Sequence, residues 1–363
     1  MPGYSTAPQL RSGGACCKFP SLFGSACSAV LFEYRANRKL FVMRTIKFGM
    51  HIFNGDFERA RRSTLLAEEL GYHLISFDDH LLPAKTPGAR IPQFECYTML
   101  AWMASITRRV RLVPTVGCMS FRNPALLAKM FTTLDYISGG RITVGVGAGW
   151  LRSEYEAYGF PYPSTGERIA QLGEGVKVMK AMWTQLEPSF SGRYFHVEKA
   201  VNLPPPLQKP HPPIMVGGTD LRTLRIIAQD ANMMSFFTHT LTVAELKRRL
   251  ALMREMAAQA GRNADEIEIS AMVKVYPAET AGESAAVAAR VAREITTGNF
   301  KPQLPDAEAA RNAPALLIGT VDEIKRGIRA RCEELGCSSF NLILPSDEFA
   351  AIFAKRIMPE FTG

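Results

Sequence analysis

From residue 44 onward, short apolar runs alternate with longer stretches of helical periodicity, and the alternation repeats eight times. "IKFGMHIF" gives way to "FERARRSTLLAEELGY", "HLISF" to "FECYTMLAWMASI", and "VRLVPTV" to "PALLAKMFTTLDYISGG". "RITVGV" is followed, after a glycine-rich loop, by "GERIAQLGEGVKVMKAMWT". The strand-like runs of the second half are "PIMVGG", "NMMSFF", "EIEISAMVKVY" and "FNLILP". Strands and helices in this order require a parallel sheet with right-handed crossovers. Eight such units predict an α/β fold, a closed (β/α)8 TIM barrel; a doubly wound open sheet is the alternative. Residues 186–212 break the rhythm with a short β-like element and a proline-rich run, which predicts an insertion between strands 4 and 5. Residues 299–315 read as a polar excursion.

The first 42 residues do not belong to this pattern. Arg11, Lys18, Arg35, Arg38 and Lys39 oppose a single acid, Glu33, around the diluted apolar stretch "SLFGSACSAVLF". The segment 1–42 reads as an extension upstream of a start at Met43, with a targeting peptide as the alternative. The barrel domain is therefore expected over 43–363. The formal charge of +9 is inflated by that segment. No Lys/Arg run with interleaved aromatics marks a nucleic-acid surface, and no apolar run is long enough for a membrane span. The 7 cysteines are scattered without zinc spacing, so no metal site is expected and a reducing, cytoplasmic compartment fits them.

In such a barrel the chemistry lies on the loops after the strands. Strand 2 is followed by "DDHLLP", which places Asp78, Asp79 and His80 at the mouth, where an imidazole held by Asp79 could donate or shuttle a proton. Strand 3 runs into "TVGCMSFRNP", with Thr115 and Val116 at its end and Asn123 as a helix cap. Strand 4 ends in "GVGAGW". A dinucleotide fingerprint needs G-x-G-x-x-G opening a helix, whereas Gly145, Gly147 and Gly149 are spaced G-x-G-x-G. Small residues here let backbone approach a planar ligand or a phosphate. After strand 5, Gly217 and Gly218 precede Thr219 and Asp220 at a helix start, either a plain cap or a phosphate grip.

Together, "SFDDHLLP", "FRNPALLAKMFTTLDYISGGRITVGVGAGWLRSEYEAYGFPYPSTGER" and "HPPIMVGG" carry a resemblance to the bacterial-luciferase-like superfamily over residues 44–345. These are barrels that use reduced flavin or deazaflavin, and the chain is most similar to the branch dependent on coenzyme F420. The resemblance implies that Asp79 and His80 approach the deazaflavin ring and act in catalysis. It implies that Thr115-Val116 is a cis peptide pressed against one ring face. Cys118, Gly149 and Ser153 would line the ring and its side chain, and Gly217, Gly218 and Thr219 would hold the phosphate. Two departures stand out. Trp150 occupies the place of the catalytic glutamate of the superfamily's sugar-phosphate dehydrogenases, which implies a different reaction and a more apolar substrate wall. Val113-Pro114 stands where relatives carry Gly-Thr, which puts the cis bond in question.

The activity implied is hydride transfer between reduced coenzyme F420 and a small organic substrate. The alternatives are a monooxygenase using reduced FMN and O2, and a flavin-binding barrel without catalysis. A homodimer is implied as well. Arg90, Arg152, Tyr155 and His239 are possible substrate contacts and equally plausible surface residues.

Overall fold

Alternation in the sequence becomes alternation in space. A computed structural model gives the architecture and describes residues 45–83, 91–238, 241–297 and 304–362; the segment 1–42, Arg90 and His239 lie outside the described residues. The elements of the first half are β1 (Lys47–His51), α1 (Phe57–Glu69), β2 (Leu74–Phe77), α2 (Cys96–Ile106), β3 (Arg111–Pro114), β4 (Gly117–Cys118), α3 (Pro124–Ser138) and β5 (Val144–Gly147). Then come α4 (Arg152–Ala157), α5 (Thr165–Thr184), β6 (Phe190–Ser191), β7 (His196–Val197), β8 (Ile214–Gly217), α6 (Leu221–Asp230) and β9 (Met233–Phe236). The chain ends with α7 (Val243–Gln259), β10 (Glu268–Pro277), α8 (Ala281–Thr297), α9 (Ala307–Asn312), β11 (Leu316–Gly319), α10 (Val321–Leu335), β12 (Ser339–Ile343), α11 (Asp347–Arg356) and α12 (Pro359–Thr362).

The main sheet runs β3-β2-β1-β12-β10-β9-β8-β5-β4, every pair parallel, with β11 paired only to β10. β3 and β4 are two halves of one barrel strand, interrupted at Thr115-Val116, and β11 lies off the ring. Eight barrel strands remain, as expected from the sequence. The ring closes where Leu112 bridges Ile142, with Thr143 N–H donating to Leu112 O at 2.8 Å. The insertion between strands 4 and 5 carries the antiparallel ribbon β6-β7.

Helix ends follow the local chemistry. Asn123 caps α3, its Oδ1 accepting from Ala125 N–H at 2.9 Å, and Pro124 fills the first turn, where no N–H is needed. Ser164/Glu167, Thr242/Glu245 and Thr320/Glu323 form reciprocal capping boxes on α5, α7 and α10. Each such cap stabilises its helix by about 1 kcal/mol.

Strand parity sorts the side chains. In β1, Phe48 and Met50 enter the outer core against the helices, leaving Lys47, Gly49 and His51 for the barrel interior. One side of that interior is apolar, built on Leu74, Val113 and Met215. The other is polar: Asn341 Nδ2 donates to Ser76 Oγ at 2.7 Å, and Ser76 Oγ lies 2.9 Å from His51 Nδ1. The excursion expected to be polar departs from expectation. Its described part packs Leu304, Ala310 and Ala313 with Leu316 and Ile318 of β11 into a small separate core. The alanines of "PDAEAARNAPALLIG" dilute the hydrophobic pattern, yet Ala310 and Ala313 are buried there and Ala307 and Ala309 pack against it.

Candidate active site

Consecutive residues of an extended chain face opposite ways, and this decides what the three residues after β2 do. Asp79 turns outward. Its carboxylate is 6% exposed and receives Arg122 Nη1 at 2.7 Å, Arg122 Nη2 at 2.9 Å and Cys118 N–H at 2.9 Å. Burial raises this carboxyl above its ordinary range, and the Arg122 fork and the Cys118 amide only partly oppose it. Three donors with a bidentate guanidinium among them hold it as the carboxylate. Burial alone would lower the Arg122 guanidinium, but Asp79 more than offsets this and raises it.

Asp78 and His80 turn the other way. Asp78 accepts from Asn54 Nδ2 at 3.2 Å and stands 3.7 Å from His51 Nε2. Burial pushes Asp78 up; the His51 contact and the neighbouring His80 outweigh it, so this carboxyl lies below its ordinary range.

The expectation that Asp79 holds the His80 imidazole is corrected by the structure: Glu154 does. Its side chain is 3% exposed, and its Oε1 lies 3.0 Å from His80 Nδ1 while accepting from Leu81 N–H at 2.7 Å and Leu82 N–H at 3.0 Å. An oxygen that already accepts two amides leaves Nδ1 as the donor, so Nε2 is the nitrogen available to a ligand. Burial lowers the His80 pKa, while the Glu154 bond and the charges of Glu154, Asp78 and Asp79 raise it; the net direction is up. His80 is thus more readily protonated than an ordinary histidine. Glu154 was missed because it lies 74 positions away in sequence; its own signal is an acid on the buried side of a short helix, among exposed residues.

At the same end of the barrel, at and just after the end of β5 and at the end of β8, three glycines sit where a side chain would not fit. A Cβ on Gly147 would stand 2.6 Å from Val116 Cγ2, and one on Gly217 would stand 3.0 Å from both Val116 γ-carbons. Gly149 has φ +72°, where an L side chain is strained, and its Cβ would run into the Tyr155 hydroxyl and Cys118 Sγ. The Thr115-Val116 peptide is cis despite the preceding Val113-Pro114. Thr115 Oγ1 is buried and has no hydrogen-bond partner, which a ligand heteroatom here would supply. The residues present therefore fit a flat, polar-edged cofactor.

The other expected residues are placed as follows. Cys118 is buried with Sγ 3.0 Å from the Tyr155 hydroxyl, and burial pushes its thiol up to about 11, so it is neutral. Ser153 is exposed on α4. Gly217, Gly218 and Thr219 form the turn before α6, but the cap is Asp220, which accepts from Arg222 N–H at 2.9 Å. Arg249 Nη1 donates to Thr219 O at 2.7 Å, so two cations flank this turn. Arg152 is tied to Glu156 at 2.6 Å on the surface, and Tyr155 is fully buried. A cavity of about 210 Å³ lined by Phe121, Arg122, Gln171 and Phe195 lies behind the Asp79–Arg122 pair and takes in none of the mouth residues. Among the described residues no His/Cys/Asp/Glu group could hold a metal ion, and no helix is long and apolar enough to cross a membrane.

The chain has known relatives. Residues 40–339 match the luciferase-like monooxygenase family, and the chain belongs to it. It is 31% identical over 223 residues to an FMNH2-dependent dimethylsulfone monooxygenase of Pseudomonas putida, covering 60% of this chain and 59% of that one. It is 35% identical over 138 residues to an F420-dependent glucose-6-phosphate dehydrogenase of Amycolatopsis mediterranei, covering 37% and 40%. These matches thus span about half the length of the relatives or less. Among solved structures, an F420-dependent secondary alcohol dehydrogenase superposes with TM-score 0.72 at 21% identity, covering 86% of this chain and 98% of the other. A monooxygenase from Streptomyces bottropensis gives 0.69 at 27% identity, covering 87% and 100%. The family includes F420-dependent and FMN-dependent members, so a flavin or deazaflavin cofactor is the common element.

Proposed function

We propose that this protein is an oxidoreductase that uses reduced coenzyme F420 to reduce an organic substrate. The observation that carries the reading is the Glu154–His80 clasp, which raises the His80 pKa and leaves Nε2 as the ring nitrogen not engaged by Glu154. A bound deazaflavin would supply hydride chemistry. The chain's own residues would do the rest. Thr115, Val116, Gly147, Gly149 and Gly217 would seat the ring, and Gly217, Gly218 and Thr219, flanked by Arg222 and Arg249, would take the phosphate. His80 would deliver a proton from Nε2 to the substrate oxygen as negative charge develops there. Closure of the mouth around the two reactants would supply orientation and exclude water.

Similarity to the Pseudomonas putida enzyme over 60% of the chain favours a second reading, a reduced-FMN monooxygenase in the same pocket. Equilibrium binding to the full chain separates the two. Reduced coenzyme F420 is expected to bind at least tenfold tighter than reduced FMN; the reverse order overturns the proposal in favour of oxygen-dependent chemistry.

Thr115→Val tests the seat itself. Removing a buried, unpaired hydroxyl is expected to raise the stability of the cofactor-free protein by about 1 kcal/mol. The same change is expected to weaken cofactor binding by about tenfold, because a ligand bond is lost. Thermal melts and a binding titration read the two effects, and their opposite signs distinguish a ligand contact from a packing defect.

A further inference from the structure

Outside the barrel ring, β11 lies against α9 and α10, and the three border a cavity of about 200 Å³ that takes in none of the mouth residues. Three guanidinium groups line it, Arg311 of α9 and Arg326 and Arg331 of α10. Among the described residues Glu323 is the one carboxylate on its wall, and Glu323 is already committed. Its Oε1 takes Arg311 Nη1 at 3.0 Å, and its Oε2 accepts from Thr320 N–H at 2.8 Å in the α10 capping box. Arg331 is 6% exposed and meets only carbonyls. Its Nε donates to Pro314 O at 2.9 Å, its Nη1 to Gly327 O at 2.8 Å, and its Nη2 to Ala313 O at 2.7 Å and to Leu316 O. Carbonyl dipoles solvate this cation without cancelling its charge, and burial pushes the guanidinium down to about 10. One N–H of Nη1 is left over from these bonds. Arg326 is exposed and has no hydrogen bond or ion pair among the described residues. The stretch 298–303, "GNFKPQ", contains no Asp or Glu that could pair with it. Gly327 separates the pair in mid-helix, where a Cβ would stand 2.7 Å from Leu317 Cδ2 and 3.3 Å from Arg331 Nη1, so the wall beside Nη1 stays clear.

We propose that this cavity binds a small phosphate-type dianion, free or as the end group of a small monoester, between Arg326 and Arg331 with Arg311 at its edge. Three guanidinium groups against one carboxylate leave an excess of positive charge that a dianion matches. Guanidinium forks approaching from two helices suit the several edges of a tetrahedral oxyanion, each edge taking a pair of N–H groups. The volume lies below the roughly 300 Å³ at which pockets for drug-sized ligands begin, which limits the ligand to an oxyanion with a short attachment. The dianion gives Arg331 the counter-charge that its carbonyl partners do not provide. The site is separate from the turn after β8 and does not depend on which cofactor the mouth takes.

Calorimetric titration of the full chain with inorganic phosphate, and separately with glycerol 3-phosphate, tests this at constant ionic strength and without added cofactor. Arg326→Gln, a change at an exposed and unpaired side chain, is expected to weaken binding at least fivefold while keeping the wild-type melting temperature in chloride. Phosphate is expected to raise the melting temperature of the wild type and not that of Arg326→Gln. Arg329→Gln removes the same charge from α10 outside the cavity and is expected to leave the affinity within twofold. Tighter binding of phosphate identifies the free ion as the ligand, and tighter binding of glycerol 3-phosphate identifies the ester; either order supports the site. Binding of neither probe overturns the proposal. So does an affinity that Arg326→Gln leaves unchanged, or that Arg329→Gln weakens equally. A loss on Arg222→Gln instead overturns it as well, by moving the phosphate to the turn after β8.

Discussion

Replacing Arg122 by Leu is expected to cost about 3–5 kcal/mol of folding stability, among the largest effects of any single change in this barrel. Asp79 is 6% exposed and sits on the outer side of β2, so its carboxylate would lose its main partner while still largely buried. Of its three donors only the Cys118 amide would remain, at 2.9 Å. Arg122 also bridges to Glu95 at 2.7 Å and lies over the Tyr97 ring at 4.3 Å, so its removal loosens the start of α2 as well. The penalty arises from an uncompensated buried charge rather than from a strong ion pair. The double change Asp79→Leu with Arg122→Leu is therefore expected to recover most of the loss. Chemical denaturation of the wild type, the single variant and the double variant checks this. A single variant within 1 kcal/mol of wild type would mean that Asp79 is not held as a carboxylate.

That pair also illustrates what a sequence can and cannot disclose. The barrel was legible because parallel strands buried on both faces read as short apolar runs, and helices with one wet face read as a 3.6-residue period. "DDHLLP" after a strand was enough to place three polar groups at the mouth. It could not divide them, although parity makes the division unavoidable once the strand register is known: Asp79 outward to Arg122, Asp78 and His80 inward. Glu154 belongs to a different problem. It lies within "WLRSEYEAYG", a stretch with two glutamates, and only the position of α4 across from the β2 loop distinguishes Glu154, nearly fully buried, from the exposed Glu156. β11 was hidden for another reason. "LLIG" follows an alanine-rich stretch whose helix is short, so the window around it has no clear period. Its pairing with the far end of β10 is a long-range event.

Glu154→Gln is expected to move the acid–base behaviour of the site while leaving its framework in place. Gln Oε1 can still accept from Leu81 and Leu82, so the loop after β2 keeps its anchor, but the negative charge beside His80 is gone. In the wild type, burial lowers the His80 pKa, while the Glu154 hydrogen bond and charge, with Asp78 and Asp79, raise it above its ordinary value. For a group raised in the folded state, the stabilisation is fully present below the unfolded pKa and is lost as pH rises through the folded value. The His80–Glu154 pair therefore supports the fold in mildly acidic solution and loses that support above the raised His80 value. With Gln at 154 burial is left less opposed, the His80 pKa falls, and the imidazole is neutral over more of the neutral range. In the proposed reduction this removes the proton donor, and kcat/KM at neutral pH is expected to fall about 10²-fold. Its alkaline limb is expected to shift to lower pH, with recovery of rate on acidification. NMR titration of the His80 ring in wild type and variant provides the independent reading. An unchanged His80 titration would assign the clasp to positioning alone, whereas a lowered titration midpoint with a matching displacement of the rate profile ties the charge of one buried glutamate to the proton that the reaction needs.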